Sequence, residues 1–193
     1  MGINTDAMIF THLEPHFDRI WVALKRSGKR YDSSPDKIIH SLRTKASYLN
    51  DCAFTELVSE WDEVPGIRPH FDRRSNGRFI SVDDVILLRI KKVNFVRVVS
   101  NYLTPHAIEM LDEQATFDFA PHASVIVLGY QFNEVMELRR VSFSPPSRSR
   151  PAWYVDLEPG DTTVIEMPSP GSQPIWPSGL RVTRSGTQMI FKN

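Results

Sequence analysis

The chain has almost no cysteine: Cys52 is the only one among 193 residues, so no internal disulfide can form. This favours a reducing compartment. Long apolar runs are also missing, since none approaches the roughly 18 residues of a membrane-spanning helix. The N-terminus lacks the charged and then apolar pattern of a secretory signal. We therefore expect a cytoplasmic protein with no membrane partner.

Catalytic signatures are missing as well. The sequence contains no glycine-rich phosphate loop and no serine at a nucleophile elbow. The hydrophobic fraction of 41% and the charged fraction of 24% are ordinary for a folded domain, and they exclude wholesale disorder. We therefore expect a globular protein without a cofactor, and we favour a binding protein over an enzyme.

The chain has no net charge, because 23 Lys and Arg residues balance 23 Asp and Glu residues. The balance hides a segregation of charge along the chain. Residues 66–100 carry 8 basic and 3 acidic residues, residues 101–138 carry 6 acidic and no basic residues, and residues 139–150 carry 4 arginines and no acid. Such blocks can produce opposed positive and negative patches on the folded surface. Alternatively, adjacent strands neutralise one another.

Residues 81–101 form the most apolar and most β-branched stretch of the chain. Residues 85–88 are a continuous apolar run between a pair of aspartates and a pair of lysines, which predicts a strand buried on both faces of a covered sheet. Residues 95–99 predict a second strand. Between them, residues 91–94 either turn the chain or carry it to the edge of the sheet.

Two helices are predicted before this stretch. Thr11 and Glu14 have the spacing of a capping box, so we expect a first helix over residues 12–27, with Gly28 as its stop. Ser34 followed by Pro35 predicts the start of a second, long amphipathic helix that ends before residue 65. Its apolar face is expected to include Ile38, Ile39 and Leu42. The short connection predicts an antiparallel pair of helices.

The rest of the chain predicts mainly β structure. Asn76 and Gly77 predict a hairpin turn, and residues 104–115 predict one short inserted helix. Further strands are expected in a loop-rich C-terminal half, at residues 124–132, 136–143 with a bulge at Arg139 and Arg140, 153–157, 164–167, and in a final hairpin over residues 180–191. We therefore predict an α+β fold with a largely antiparallel sheet. Residues 1–65 form its helical region and residues 66–193 its mainly-β region, within one integrated domain.

Paired titratable residues suggest chemistry at two places. His70 and Asp72 alternate on a predicted strand and are candidates for a general base with its orienting carboxylate, although a structural role is favoured. His12 and His16 lie four residues apart on a helix, as zinc ligands can. Leu13, however, occupies the position where the zincin pattern requires glutamate. We expect no metal site there.

A nuclease core of the restriction type is the other metal pattern to consider. Asp83 and Asp84 precede a buried strand that ends in Lys91, as that chemistry requires. The acid expected two residues before the lysine is replaced by Arg89, which cannot ligate a metal cation. This replacement argues against the metal-dependent reading, unless Glu56 or Glu60 takes over as the acid.

Basic residues concentrated in a short part of the chain predict a surface for nucleic acid or for an acidic partner: Arg68, Arg73, Arg74, Arg78, Lys91, Lys92 and Arg97. Phe71, Phe79 and Tyr102 would add stacking surfaces if exposed. We predict a binding protein of a prokaryotic or phage conflict system, either a toxin–antitoxin or a phage-defence component, with a protein partner or a second copy of itself. The alternative is a small nuclease or ribonuclease toxin, with or without a metal, that uses His70 and Asp72.

Overall fold

The computed structural model describes residues 11–73, 77–96, 98–99, 117–147, 151, 153–157 and 163–166. A short 3-10 helix, Glu14–His16, leads into helix α1, Phe17–Asp32. A second 3-10 helix, Pro35–Ile39, precedes helix α2, Leu42–Glu60. Seven strands follow: β1 (Ile67–Asp72), β2 (Gly77–Val82), β3 (Ile86–Lys92), β4 (Ser124–Phe132), β5 (Leu138–Ser144), β6 (Tyr154–Leu157) and β7 (Thr163–Glu166). The mixed α and β content predicted from the sequence is confirmed.

The strands form one sheet in the order β1-β2-β3-β4-β5-β6-β7. Every neighbouring pair is antiparallel except β3 and β4, which run parallel. A parallel pair needs a crossover connection. The described parts of that connection are residues 93–96, 98–99 and 117–123, and the last of these leads directly into β4. β1 lies at one edge of the sheet and contains Pro69, whose missing amide blunts that edge.

The core lies on both faces of the central strand β3. Ile86, Leu88 and Ile90 belong to the large cluster that includes the buried side chains of α1 and α2. Leu87, on the opposite face, packs with Phe79, Phe117 and Ala120. Because successive side chains of a strand point to opposite faces, this arrangement buries the whole apolar run. The prediction of a strand buried on both faces is confirmed. Of the two alternatives for residues 91–94, a position at the sheet edge is wrong, because Lys91 and Lys92 end the central strand β3 and the chain turns after them.

The first predicted helix, over residues 12–27, is divided and ends later than the sequence predicts: residues 11–13 are α-helical, Glu14–His16 form a 3-10 turn, and α1 ends at Asp32. It begins at Phe17 with His16 as N-cap, and no side chain caps it, so the capping box predicted at Thr11 and Glu14 does not start this helix. Gly28 lies inside the helix. A Cβ atom there would meet Phe132 Cε1 at 2.6 Å and the Met136 carbonyl oxygen at 2.7 Å. Glycine is therefore required for close packing of α1 on the sheet, and it does not end the helix.

The predicted second helix is divided into two pieces. The 3-10 helix Pro35–Ile39 ends at His40, whose backbone is extended, and α2 begins after Ser41. Ser41 Oγ accepts a hydrogen bond from the Thr44 amide at 3.2 Å, whereas Ser34 makes no side-chain capping bond. The start predicted at Ser34 is thus a separate short helix, and the cap of α2 is Ser41.

Ion pairs connect α1 to α2. Arg26 contacts both Glu56 and Glu60, and Arg30 Nη1 lies 3.2 Å from Glu56 Oε1. Nearer the connection between the helices, Tyr31 of α1 packs against Tyr48 of α2. Residues later in α1 contact residues earlier in α2, so the two helices pack side by side and run antiparallel.

The β predictions fare unevenly. The hairpin is present, with Asp72 opposite Gly77 in register. The pairing of β4 with β5 shifts register between Gln131 and Phe132, which are paired with Arg140 and Leu138 and so leave Arg139 as the extra residue. The predicted bulge is therefore confirmed.

The second strand expected at residues 95–99 is wrong for the described residues, which show a turn closed by one bridge between Val93 and Val99. The inserted helix at residues 104–115 and the C-terminal hairpin at 180–191 lie outside the described residues.

Candidate binding surface at one end of the sheet

The strand registers bring basic residues to one end of the sheet. Gly77 begins β2 at the hairpin tip, and β3 runs antiparallel to β2, so Lys91 and Lys92 end at the same side as the tip. β4 is parallel to β3, and Gln131 pairs with Arg140 at the start of β5. We call this surface the basic end, and its members are Arg73, Arg78, Lys91, Lys92, Arg139 and Arg140.

Arg78 is held in place by helix α2. Its Nη1 donates to Asp51 Oδ1 at 2.8 Å, and its guanidinium lies 5.6 Å from the centroid of the Phe54 ring. Directly opposite on β1, Phe71 is 55% exposed. An ion pair and an aromatic ring together fix the plane of the guanidinium. The basic end thus presents an oriented arginine beside an exposed aromatic ring.

Arg73 and Lys92 are exposed and form no ion pair with any described carboxylate. Their charges are therefore available to a ligand. Arg139 pairs with Glu137 at 3.1 Å, and Arg140 lies 3.6 Å from Asp156, so these two arginines are partly neutralised by the chain itself. Both expectations for the charge blocks therefore apply. Arg139 and Arg140 are partly neutralised by nearby acids, whereas Arg73 and Lys92 keep a positive patch on the surface.

Lys91 occupies a less exposed position than Lys92. It lies on the sheet face opposite the helices, together with Arg89. Burial and the neighbouring Arg89 lower the pKa of Lys91 to about 8. The side chain is charged at neutral pH, but its charge is destabilised by limited contact with water. Among the residues the structure describes, no carboxylate pairs with it.

Some of the predicted binding residues are not at the basic end. Arg68 is exposed but lies in register with Ser81, toward the other end of β1, roughly 16 Å along the strand from Arg73. Phe79 is fully buried, so it does not meet the condition of exposure on which its stacking role depended. Arg74, Arg97 and Tyr102 lie outside the described residues.

Sequence reasoning missed Arg139 and Arg140 as members of this surface. The block of arginines after residue 138 and the predicted strand there were both visible in the sequence. Their proximity to Lys91 depends on the parallel pairing of β3 with β4, which no local pattern indicates.

The His70 and Asp72 pair does not form a hydrogen bond. His70 Nε2 lies 2.9 Å from Ser81 Oγ, and its ring stacks on Phe119 with centroids 4.4 Å apart. Burial lowers the pKa of His70, whereas an orienting carboxylate in direct contact would raise it. The His70 ring is thus held by Ser81 and Phe119 on the sheet face opposite the helices.

The structure also keeps apart the residues of each predicted metal pattern. His12 Nδ1 lies 2.8 Å from Asp83 Oδ2, while His16 packs against the edge of the Trp61 ring. Asp83 and Asp84 form the turn before β3, with positive φ angles of 52° and 56°. From the start of β3 to Lys91 the strand spans roughly 17 Å, so these acids and the lysine cannot share one ion. The described residues contain no group of three or more His, Cys, Asp or Glu side chains that could hold a metal.

Within the described segments, no helix is long and apolar enough to span a membrane. Comparison of the chain with protein-family models, with curated proteins and with solved structures gives no significant match in any of the three.

Proposed function

We propose that the chain is a binding protein whose basic end contacts a nucleic acid. One observation carries the proposal: Arg73 and Lys92 are exposed without a described carboxylate partner, on the same end of the sheet as an oriented Arg78 and an exposed Phe71. Cations attract the phosphate backbone, and an exposed aromatic ring can stack on an unpaired base. An acidic protein would pair with the cations, but it would offer no base to stack on the aromatic ring.

The role in a toxin–antitoxin or phage-defence system remains part of this proposal. It is based on the small size of the chain and not on any residue. The alternative of a nuclease that uses His70 and Asp72 gains no support from the site, because His70 is hydrogen-bonded to Ser81 and stacked on Phe119.

The test is the affinity for a fluorescent single-stranded oligonucleotide, measured by anisotropy at low salt. The double variant Arg73→Ala, Lys92→Ala should bind at least tenfold more weakly, because both residues supply unpaired positive charge at the basic end. Phe71→Ala should weaken binding severalfold through lost stacking.

The matched control is Lys25→Ala, Lys29→Ala, which removes the same charge from exposed positions of α1. Its affinity should stay within about twofold of that of the unchanged protein. Equal losses in the two double variants would indicate a general charge effect and contradict the proposed site. Binding of an acidic polypeptide such as polyglutamate with no binding of the oligonucleotide would replace nucleic acid with an acidic partner.

A further inference from the structure

Arg78 differs from the exposed cations of the basic end in how it is held. Ile80 and Val82 of β2 pack with the helices, so Arg78, two residues before Ile80, lies on the same face of the sheet. Its guanidinium contacts Asp51 and Phe54, which lie three residues apart on α2 and so on one side of that helix. Phe54 itself packs against the core. The guanidinium is therefore held in one orientation by an anchored ring and an ion pair.

The ion pair offsets the charge of Arg78 but leaves most of its donors unused. Nη1 donates to Asp51 Oδ1, whereas Nε and Nη2 donate to no residue that the structure describes. The side chains of Arg78 and Asp51 are 41% and 55% exposed. A phosphate at this position would meet the Asp51 carboxylate as well as the guanidinium, so the pair attracts it little. The N–H groups of Nε and Nη2, however, form a rigid fork that fits two neighbouring acceptors.

Phe71 brings a base within reach of this fork. Phe71 and Arg78 are directly opposite in the register of β1 and β2, so they share one face of the sheet. The Cβ atoms of such a pair lie roughly 5 Å apart. A base that stacks on the exposed Phe71 ring therefore has its edge next to the Arg78 guanidinium.

Guanine is the base that fits the fork best. Its O6 and N7 atoms are neighbouring acceptors, and an arginine that donates to both makes the commonest specific contact to a base. Adenine carries the N6 donor beside N7, so one of the two hydrogen bonds is lost. Thymine and uracil separate their carbonyl oxygens by an N–H donor. Cytosine has neighbouring acceptors only on its pairing edge, and its single ring offers less surface for stacking.

We propose that Arg78 recognises an unpaired guanine stacked on Phe71, while Arg73 and Lys92 contact the phosphates of the same strand. The proposal rests on the proposed nucleic-acid function and adds a base preference to it. Contacts to phosphate position a strand, whereas contacts to base edges specify its sequence. The basic end thus contains cations for the first task and one oriented arginine for the second.

Two fluorescent strands test the proposal on the unchanged protein. Both are thymidine strands of about eight nucleotides, one with a single central guanine and the other with a single central adenine. The two purines have similar stacking surfaces, so the ratio of the two affinities isolates the hydrogen bonds. The guanine strand should bind at least about fivefold more tightly. Equal binding would overturn the role of Arg78 alone, whereas no binding of either strand would overturn the nucleic-acid function as well.

Arg78→Lys keeps the charge and removes the fork. The two strands should then bind within about twofold of each other, with the affinity for the adenine strand little changed. Arg30→Lys is the matched control, because Arg30 is also paired with a carboxylate of α2, Glu56 at 3.2 Å, but lies on α1. This control should keep the full preference for guanine. A preference that survives Arg78→Lys would overturn the proposal.

Asp51→Ala separates base recognition from a plain charge effect. Without the carboxylate the charge of Arg78 is unpaired, so both strands should bind more tightly, with a salt slope steeper by about 0.7. The guanidinium also loses its fixed orientation, so the preference for guanine should shrink. Tighter binding with an unchanged preference would show that Asp51 only neutralises Arg78, and it would overturn the role of the oriented fork.

Discussion

At the scale of single residues, Gly28 and Lys91 each occupy a position that their residue type disfavours. Gly28 lies inside a helix, and Lys91 carries a charge at a position with limited contact with water. Glycine is a poor helix residue, yet Gly28 lies inside α1 because any side chain would collide with Phe132 and Met136. The sequence suggested a helix stop, since only the local preference was visible. The contact that requires glycine involves residues about 100 positions away in the chain, and this is why sequence reasoning missed it.

Gly28→Ala should destabilise the protein by about 1–3 kcal/mol, because the added methyl group overpacks the contact between α1 and the sheet. The gain in helix propensity of up to about 1 kcal/mol offsets only part of this cost. Urea unfolding measures the change, with Lys29→Ala at the next, exposed position as control. Stabilisation by the alanine would show that the contact relaxes freely.

Lys91 makes the stability depend on pH in a defined direction. Its pKa is lowered to about 8 by burial, whereas lysine in an unfolded chain titrates near 10.4. Between these values the unfolded state binds more protons, so this residue makes stability rise with pH. Below pH 8 the buried charge is destabilising in full.

Lys91→Met should therefore be more stable than the unchanged protein at pH 7, and this advantage should shrink toward pH 10. The expected change is on the order of 1–2 kcal/mol, since water still reaches part of the side chain. Urea unfolding of both proteins at pH 7, 9 and 10 checks it, and the difference between them cancels the other titrating groups. A constant difference across this range would show that Lys91 is well solvated.

At the scale of elements, the sequence predicted strands better than helix boundaries. The bounds of β4 and the bulge opposite Gln131 follow from local alternation and from the slip at Arg139. The break before α2 was missed because apolar spacing continues through it, while the cap depends on a single serine. The sequence pattern placed the cap at Ser34, and periodicity gave no reason to prefer Ser41, which is the cap in the structure.

The structure assigns the cap to Ser41, and two matched alanine variants test this assignment. Ser41→Ala should cost about 0.5–2 kcal/mol, because it removes the acceptor for the Thr44 amide. Ser34→Ala should change stability by less than about 0.5 kcal/mol, because Ser34 makes no side-chain capping bond. Thermal or urea unfolding compares the two. Equal losses, or a larger loss at Ser34, would restore the continuous helix predicted from the sequence.

At the scale of the whole molecule, strand order decides where charge collects. Composition and charge blocks predicted a basic surface, and the hairpin carries Arg73 and Arg78 as expected. The addition of Arg139 and Arg140 results from the parallel pairing of β3 with β4, which joins distant parts of the chain. Long-range pairing of this kind leaves no periodic signal, so the composition of the basic end could be predicted only in part.

The salt dependence of oligonucleotide binding tests the central claim most directly. The affinity of the unchanged protein should fall steeply and linearly with salt on logarithmic axes. Removal of Arg73 and Lys92 should reduce the slope by about 1.4, since each phosphate contact on a single strand contributes about 0.7. Binding that does not respond to salt, or a slope unchanged in the double variant, would contradict the assignment of the basic end as the nucleic-acid surface.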